Sequence, residues 1–203
     1  TVQDRDQEIT LAIENEYIMS PKDLCTLPFL DKVLDAGVKI LKIEGRGRSP
    51  EYTKVTVGVY SEAVKALQNG EFTEEKVAEW TERLRSVYNR DFWDGYYLGR
   101  KTGEWTQRYG SQATKTKIFV GTVTNFFAKI NVAEIRMETQ DLKVGDDIMI
   151  IGPTTGVYED KISEIRVDLK PVDATEKGEL CSIPVKDVIR RGDKVYKVID
   201  AES

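Results

Sequence analysis

The stretch Val38-Lys-Ile-Leu-Lys-Ile-Glu-Gly-Arg-Gly-Arg-Ser-Pro-Glu-Tyr52 decides how the rest of the chain is read. Val38, Ile40, Leu41 and Ile43 form a nearly continuous apolar run, the pattern of a short buried strand covered on both faces in a parallel sheet. Glu44 ends the run. Gly45 and Gly47 then allow positive φ and close backbone approach, and Ser49-Pro50 supplies a helix N-cap followed by proline at the first helical position. The segment thus reads as strand, basic glycine turn and helix, with Glu44, Arg46 and Arg48 at the carboxyl end of the strand. Ligands of α/β sheets bind at that end, and a helix N-terminus beside two guanidinium groups attracts an anion. Two readings of the turn stand side by side. Either Arg46 and Arg48 hold a phosphate, or Glu44 pairs with Arg46, Arg48 or Lys42 and only braces the turn.

Working outward toward the amino terminus, Glu8–Ile13 and Glu16–Met19 are short strand-like runs, and residues 26–36 form a helical pattern. That helix has Pro28 near its first turn, an apolar face of Leu27, Leu30, Val33 and Leu34, and Gly37 at the C′ position. In the other direction, Pro50 opens a helix running to about Leu67, with Tyr52, Val55, Val59, Ala63, Ala66 and Leu67 at helical spacing. A further helix starts after Thr73 and carries Val77, Trp80, Leu84 and Val87 on one face. Residues 16–67 therefore repeat strand–turn–helix twice, the sign of a parallel α/β sheet. Two such units leave sheet edges and faces bare. The expectation is an α/β fragment, the last βα units of a larger barrel whose earlier units lie elsewhere.

Residues 88–116 change character: Phe92, Trp93, Tyr96, Tyr97, Trp105 and Tyr109 interleave with Arg90, Arg100, Lys101 and Arg108 among glycines. Such a segment can stack bases and touch phosphates, or simply connect two domains and pack its rings between them. From Lys117 the periodicity is two. Strand candidates are Ile118–Phe126, Ile130–Met137, Asp147–Gly152, Val157–Asp168, Glu179–Ile183 and Lys194–Ile199, punctuated by Gly-Asp and Gly-Pro turns, which predicts a small antiparallel β-barrel. Within it, Leu142-Lys-Val-Gly-Asp-Asp-Ile148 and Ile189-Arg-Arg-Gly-Asp-Lys-Val195 echo one another as tight turns that feed a strand. The domain reading is an α/β region over 1–87, an aromatic and basic connector over 88–116 and the barrel over 117–203.

The 203 residues are 40% hydrophobic and 32% charged, the composition of an ordinary globular chain, and the net charge of −5 gives no global attraction to nucleic acid, so any RNA contact needs a local basic patch. No apolar run approaches the ~18 residues of a membrane span, and the polar amino terminus is unlike a signal peptide, so a cytoplasmic location is expected. Histidine is absent altogether, which excludes Ser-His-Asp and Cys-His nucleophilic arrangements and the HExxH zinc site. Two cysteines, Cys25 and Cys181, are too few for a disulfide framework. Cys181 alternates with apolar neighbours and reads as core.

Three motifs carry a family resemblance: Tyr17-Ile-Met-Ser-Pro-Lys-Asp-Leu-Cys25, Leu41-Lys-Ile-Glu-Gly-Arg-Gly-Arg-Ser-Pro-Glu-Tyr52 and Arg90-Asp-Phe-Trp-Asp-Gly-Tyr-Tyr-Leu-Gly99. In that order they resemble the carboxyl-terminal half of the collagenase-like peptidases of unknown catalytic type, a family that includes proteins for tRNA uridine 5-hydroxylation. Residues 120–198, with Gly-Thr-Val-Thr-Asn125 and Gly152-Pro-Thr-Thr-Gly156, resemble that family's terminal β-barrel, itself similar to domain 2 of elongation factor Tu. The resemblance implies a modified TIM barrel for the first part, with Lys22, Asp23 and Glu44 as catalytic candidates and Cys25, Arg46 and Arg48 lining the same mouth. It also implies that Cys25 is one ligand of an iron–sulfur cluster in the full-length protein; since four ligands are the rule, this chain by itself is expected to hold none. A small buried cysteine at a helix start is the competing reading. The implied function is tRNA uridine 5-hydroxylation by the whole protein, with tRNA as partner. Peptidase activity, as the family label says, and an RNA- or partner-binding module are the alternatives, and a second copy of the chain is the other partner to consider.

Overall fold

The computed structural model describes residues 20–100, 103–106 and 110–201, together with the backbone of Val2–Gln3 and Thr10–Leu11. The chain forms two compact units, Thr1–Ala113 and Thr114–Ser203.

In the first unit, β1 (Val2–Gln3) pairs antiparallel with β2 (Thr10–Leu11). After β3 (Asp23–Leu24), a 3-10 turn at Leu27–Phe29 with Pro28 in its first turn runs into α1 (Leu30–Asp35), which ends at Gly37 with φ 92°. The long helix α2 (Pro50–Gln68) starts with Pro50 after an extended Ser49, as read from sequence, although the serine side chain accepts no capping bond. Helix α3 (Glu74–Arg85) is capped by the Thr73 hydroxyl, which accepts from the Lys76 amide at 3.4 Å, an arrangement worth about 1 kcal/mol. Its last element, β4 (Phe92–Trp93), pairs parallel with β3. Leu27, Leu30, Val59, Ala63, Ala66, Trp80 and Leu84 make one core with Cys25. The predicted stripe of α2 is the face that is buried. The α2–α3 contact is clasped by Glu62, which accepts from Trp80 Nε1 at 3.0 Å and from the Arg83 guanidinium.

The predicted buried strand at Val38–Ile43 does not form. These residues pair with no strand, and Val38 is 39% and Ile40 85% exposed. An apolar run becomes a strand when neighbours take up its amides and carbonyls, and the parallel pairing described in this unit is the two-residue ladder of β3 with β4. Leu41 and Ile43 instead turn toward α2, where they line a shallow groove with Val57, Tyr60 and Val64. The parallel βα units of a larger barrel, expected from the repeated strand–turn–helix pattern, are therefore not formed among the described residues; what stands in their place is a helix pair with one short parallel ladder. The strand-like runs at 8–13 and 16–19 lie outside the described residues, apart from the backbone of Thr10–Leu11.

The second unit is an eight-stranded antiparallel sheet. Its strands are β5 (Lys115–Phe127), β6 (Val132–Met137), β7 (Asp147–Gly152), β8 (Gly156–Lys161), β9 (Ile165–Val167), β10 (Lys170–Val172), β11 (Leu180–Pro184) and β12 (Lys194–Asp200), in the order β10-β9-β11-β6-β5-β12-β7-β8. Alternation works as read: Ala133, Ile135 and Met137 of β6 point inward and are buried, with Arg136 exposed between them. Inward residues from both ends of the order, among them Ile165, Ile183, Val120, Val195, Ile150 and Tyr158, share one core, so the sheet curls around it. Bulges at Val195/Tyr196 and Val123/Asn125 provide the bend. The sheet is barrel-like but keeps two edges, β10 and β8, so the closed barrel expected from sequence is not formed by strand pairing. The single run Val157–Asp168 is divided between β8 and β9, and β10 was not legible. It is joined to β9 by a two-residue turn in which Asp168 and Leu169 both have positive φ, 48° and 66°. That is the hairpin geometry usually marked by Asn-Gly, here written with a leucine that is 86% exposed.

The repeated turn sequence is a repeated structure. Asp146 accepts from the Lys143 amide and Asp193 from the Arg190 amide, each at 2.9 Å, and Gly145 and Gly192 both have φ 93°. Gly145 donates to Ile162, whose amide donates back to Asp146; Gly192 donates to Val123, whose amide donates back to Asp193. Leu142 and Ile189 plug the core at equivalent places.

Candidate functional site

The ladder of β3 with β4 places Asp23 beside Phe92, and the residues named from sequence divide around it. Asp23 accepts from Arg48 Nη2 at 2.7 Å and from the Arg90 amide at 3.0 Å. The Arg48 guanidinium also lies over the Tyr88 ring at 4.4 Å and the Tyr52 ring at 5.3 Å. Arg48 is thus bound on several sides inside the unit. Burial pushes the Tyr52 hydroxyl above its ordinary value, so it stands neutral beside the arginine.

Lys22 sits in a second group. Its ammonium is 3.0 Å from Glu104 and 3.2 Å from Asp91, and the hydrogen bond to Glu104 is the chief reason its pKa is raised. Burial pushes Asp91 upward, but the Phe92 amide, Lys22 and Arg85 outweigh it and hold the carboxyl below its usual value. Asp91 adopts φ 66°, with its amide donating to Asn89 Oδ1 at 3.0 Å. Arg85, Asp91, Lys22, Glu104, Arg100 and Asp94 form a chain of alternating charge that ties residues 20–26 to residues 85–104.

Glu44 and Arg46 stand apart from both groups. Glu44 Oε1 accepts from the Arg46 amide at 2.9 Å, and Arg48 donates its own amide to the Gly45 carbonyl at 3.0 Å. Glu44 therefore does brace the turn, but through an amide rather than a guanidinium. Both Glu44 and Arg46 are exposed, and the Arg46 guanidinium is in no ion pair among the described residues.

Cys25 is 6% exposed and lies in the helical core. Its amide donates to Trp93 at 2.9 Å, and its Sγ lies 3.9 Å from the Tyr60 hydroxyl, which in turn accepts from the Thr26 amide at 3.1 Å. Burial raises the pKa of both the thiol and the phenol, so neither ionises at neutral pH. An iron–sulfur cluster asks for four ligands. Cys25 is one; Cys181 is buried in the core of the other unit, and no group of three or more His, Cys, Asp or Glu side chains among the described residues is placed to hold a metal. The residues of this chain alone do not fit the cluster.

Sequence reading missed Tyr52, Tyr60, Tyr88, Asp91 and Glu104 as the partners of the named residues. Asp91 lies in the motif Arg90–Gly99 and Glu104 at the polar end of the connector, where the aromatic and basic residues dominate the pattern and these two carboxylates do not stand out.

Residues 1–107, more than half of the 203, match the sequence profile of peptidase family U32. The chain belongs to that family. Among curated relatives, a protein named collagenase from Porphyromonas gingivalis is 51% identical to this U32 chain over 97% of the chain and 48% of that protein. A tRNA hydroxylation protein P1 of Bacillus subtilis is 33% identical over 68% of the chain and 32% of that protein. The chain thus spans about half, or less, of the curated relatives it matches. Among solved structures, the C-terminal domain of a U32 peptidase of Geobacillus thermoleovorans matches 38% of this chain and 96% of that domain, with a TM-score of 0.37 and 18% identity. Among the described residues no helix is long and apolar enough to cross a membrane.

Proposed function

We propose that this U32 chain works on tRNA, as part of a protein acting in uridine 5-hydroxylation, and that Cys25 serves there as a metal-cluster ligand rather than as a nucleophile. The observation that carries the reading is the setting of Cys25. Peptide hydrolysis by a thiol asks for a base that takes its proton. Here the neighbouring polar atom is the Tyr60 hydroxyl, itself pushed toward neutrality, and the chain contains no histidine. A buried cysteine whose backbone amide is fixed by the Trp93 carbonyl, and whose thiol lies beside Tyr60, suits a ligand that waits for partners from elsewhere. Relatives named as tRNA hydroxylation proteins support the substrate class.

A second reading, peptide cleavage, is favoured by one observation: the 51% identity to a protein named collagenase. The two are separated by nucleoside mass spectrometry of tRNA from a strain lacking its own hydroxylation protein, complemented with the full-length gene. Restored 5-hydroxyuridine, lost again on Cys25→Ser, is the expected result. No restoration, together with release of peptides from gelatin by the purified full-length protein, would overturn it.

A further inference from the structure

The turn that follows β4 leaves two large rings in water. Tyr96 and Tyr97 are 62% and 66% exposed, and Leu24 and Leu98 are exposed as well. Leu24 and Tyr97 both close on Gly95, where an added Cβ would lie 2.8 Å from Leu24 Cδ1 and 3.4 Å from Tyr97 Cδ2. The turn is held in shape: Gly95 and Gly99 have φ 64° and 85°, the Gly99 amide donates to the Tyr96 carbonyl at 3.2 Å, and Arg100 Nε lies 2.7 Å from Asp94 Oδ1. Each exposed ring is braced by a less exposed one. Trp93 meets Tyr96 edge-to-face with centres 5.2 Å apart, and the Phe29 ring lies 6.0 Å from that of Tyr97. The charges beside the rings are spent within the unit, since Arg100 meets Asp94 and Glu104, and Lys22 meets Asp91 and Glu104. What the described residues of this turn offer a ligand is therefore ring surface rather than charge. The turn also begins at the strand end that fixes Cys25: β3 and β4 run parallel, and the Cys25 amide donates to the Trp93 carbonyl just before the turn.

We infer that Tyr96 and Tyr97 form a stacking platform for unpaired uracil bases of the substrate RNA, on the turn that leaves the Cys25 strand pair. The inference rests on the reading of the chain as a tRNA-acting protein and names the surface that receives the base. Chemistry on a nucleobase requires the base to leave its own stack, and a base out of its stack is held by aromatic and apolar side chains against its faces. Tyrosine suits that task because its ring is large and rigid and only two side-chain torsions have to be fixed. Here the glycine turn and the Asp94–Arg100 pair set the backbone, and Trp93 and Phe29 support the rings, so the platform is formed before the base arrives. Stacking of this kind tolerates any base, so the platform holds the strand while the choice of uridine is made elsewhere in the site.

The probe is a fluorescein-labelled oligouridine, set against an abasic strand of the same length that keeps the sugars and phosphates. Each is titrated with the full-length protein and read by anisotropy at low and high salt. The wild type binds the oligouridine about tenfold or more tightly than the abasic strand, and this ratio is the same at both salts because no charge distinguishes the two probes. Tyr96→Leu with Tyr97→Leu, at exposed positions, brings the ratio to about one, whereas Tyr96→Phe with Tyr97→Phe keeps the ring faces and keeps the ratio. No binding of oligouridine, a wild-type ratio near one, a leucine variant that keeps the ratio or a phenylalanine variant that loses it would each overturn the platform. So would tighter binding of a fluorescein-labelled gelatin peptide that the leucine substitutions weaken, which would assign the rings to a polypeptide. Failure of the ratio test leaves 5-hydroxyuridine restored in the complemented strain as evidence for the hydroxylation reading. Absence of restoration together with a ring-dependent ratio sinks that reading and leaves the platform standing.

Discussion

Changing Arg48 and changing Arg46 give very different results if the geometry around Asp23 governs stability. The side chains of Arg48 and Asp23 are 18% and 21% exposed, and their pair at 2.7 Å is reinforced by the Arg90 amide. Exposed pairs are worth about 0.2–1 kcal/mol and breaking a fully buried one costs about 3–5 kcal/mol, so this intermediate case is set at about 2 kcal/mol. Loss of the guanidinium from the Tyr88 face at 4.4 Å adds about 1 kcal/mol. Arg48→Gln is therefore expected to cost the first unit about 3 kcal/mol, whereas Arg46→Gln, at an exposed site, costs less than about 0.5 kcal/mol. All three tryptophans, Trp80, Trp93 and Trp105, lie in that unit, so tryptophan fluorescence in urea follows it alone. At an m-value of about 1.5 kcal/mol/M, Arg48→Gln lowers the midpoint by about 2 M. A double-mutant cycle with Asp23→Asn is expected to show coupling of at least 1 kcal/mol. If Arg48→Gln unfolds like the wild type and instead lowers tRNA affinity, Arg48 faces a ligand and the structural account of it is wrong.

Other consequences are as definite. A side chain at Gly152 would run into the Asp193 carboxylate, which is 3% exposed and fixed by Thr155 and the Arg190 amide, so Gly152→Ala should cost the second unit about 3 kcal/mol in urea unfolding followed by circular dichroism. Burial, aided by Asp160, pushes the Tyr158 hydroxyl from 10.0 up to about 12. Because the folded state holds that proton more tightly than the unfolded state, the associated stability is complete below pH 10 and is lost as the pH rises toward 12. It amounts to about 2 kcal/mol, and Tyr158→Phe should flatten that part of the pH profile. Anaerobic reconstitution with iron and sulfide should leave this chain without a stoichiometric cluster, since Cys25 supplies one of four ligands; iron retained at four per chain would refute that.

The elements whose formation depends on their own sequence were legible, and those that depend on distant partners were not. Helix α2, nineteen residues long, announces itself by Pro50, a periodic stripe and the Asn69-Gly70 that follows it, all signals local to the helix. The strands of the second unit announce themselves by alternation against a core that is complete within the unit. The run Val38–Ile43 has equally strong apolar character, yet remains unpaired with Ile40 exposed, because hydrophobicity records a demand for cover and says nothing of what supplies it. The same distinction separates the two arginines. Both sit in one glycine turn and look equivalent in the sequence, since nothing local distinguishes positions 46 and 48. The difference lies 25 residues upstream in Asp23 and 40 residues downstream in Tyr88, which converge on Arg48 and not on Arg46. An anion reaching this turn would meet Arg46 at no cost, but would have to break Arg48 away from Asp23 and two rings. Any phosphate contact made here consequently belongs to Arg46 and the amides around it, while Arg48 keeps the turn in position for that contact.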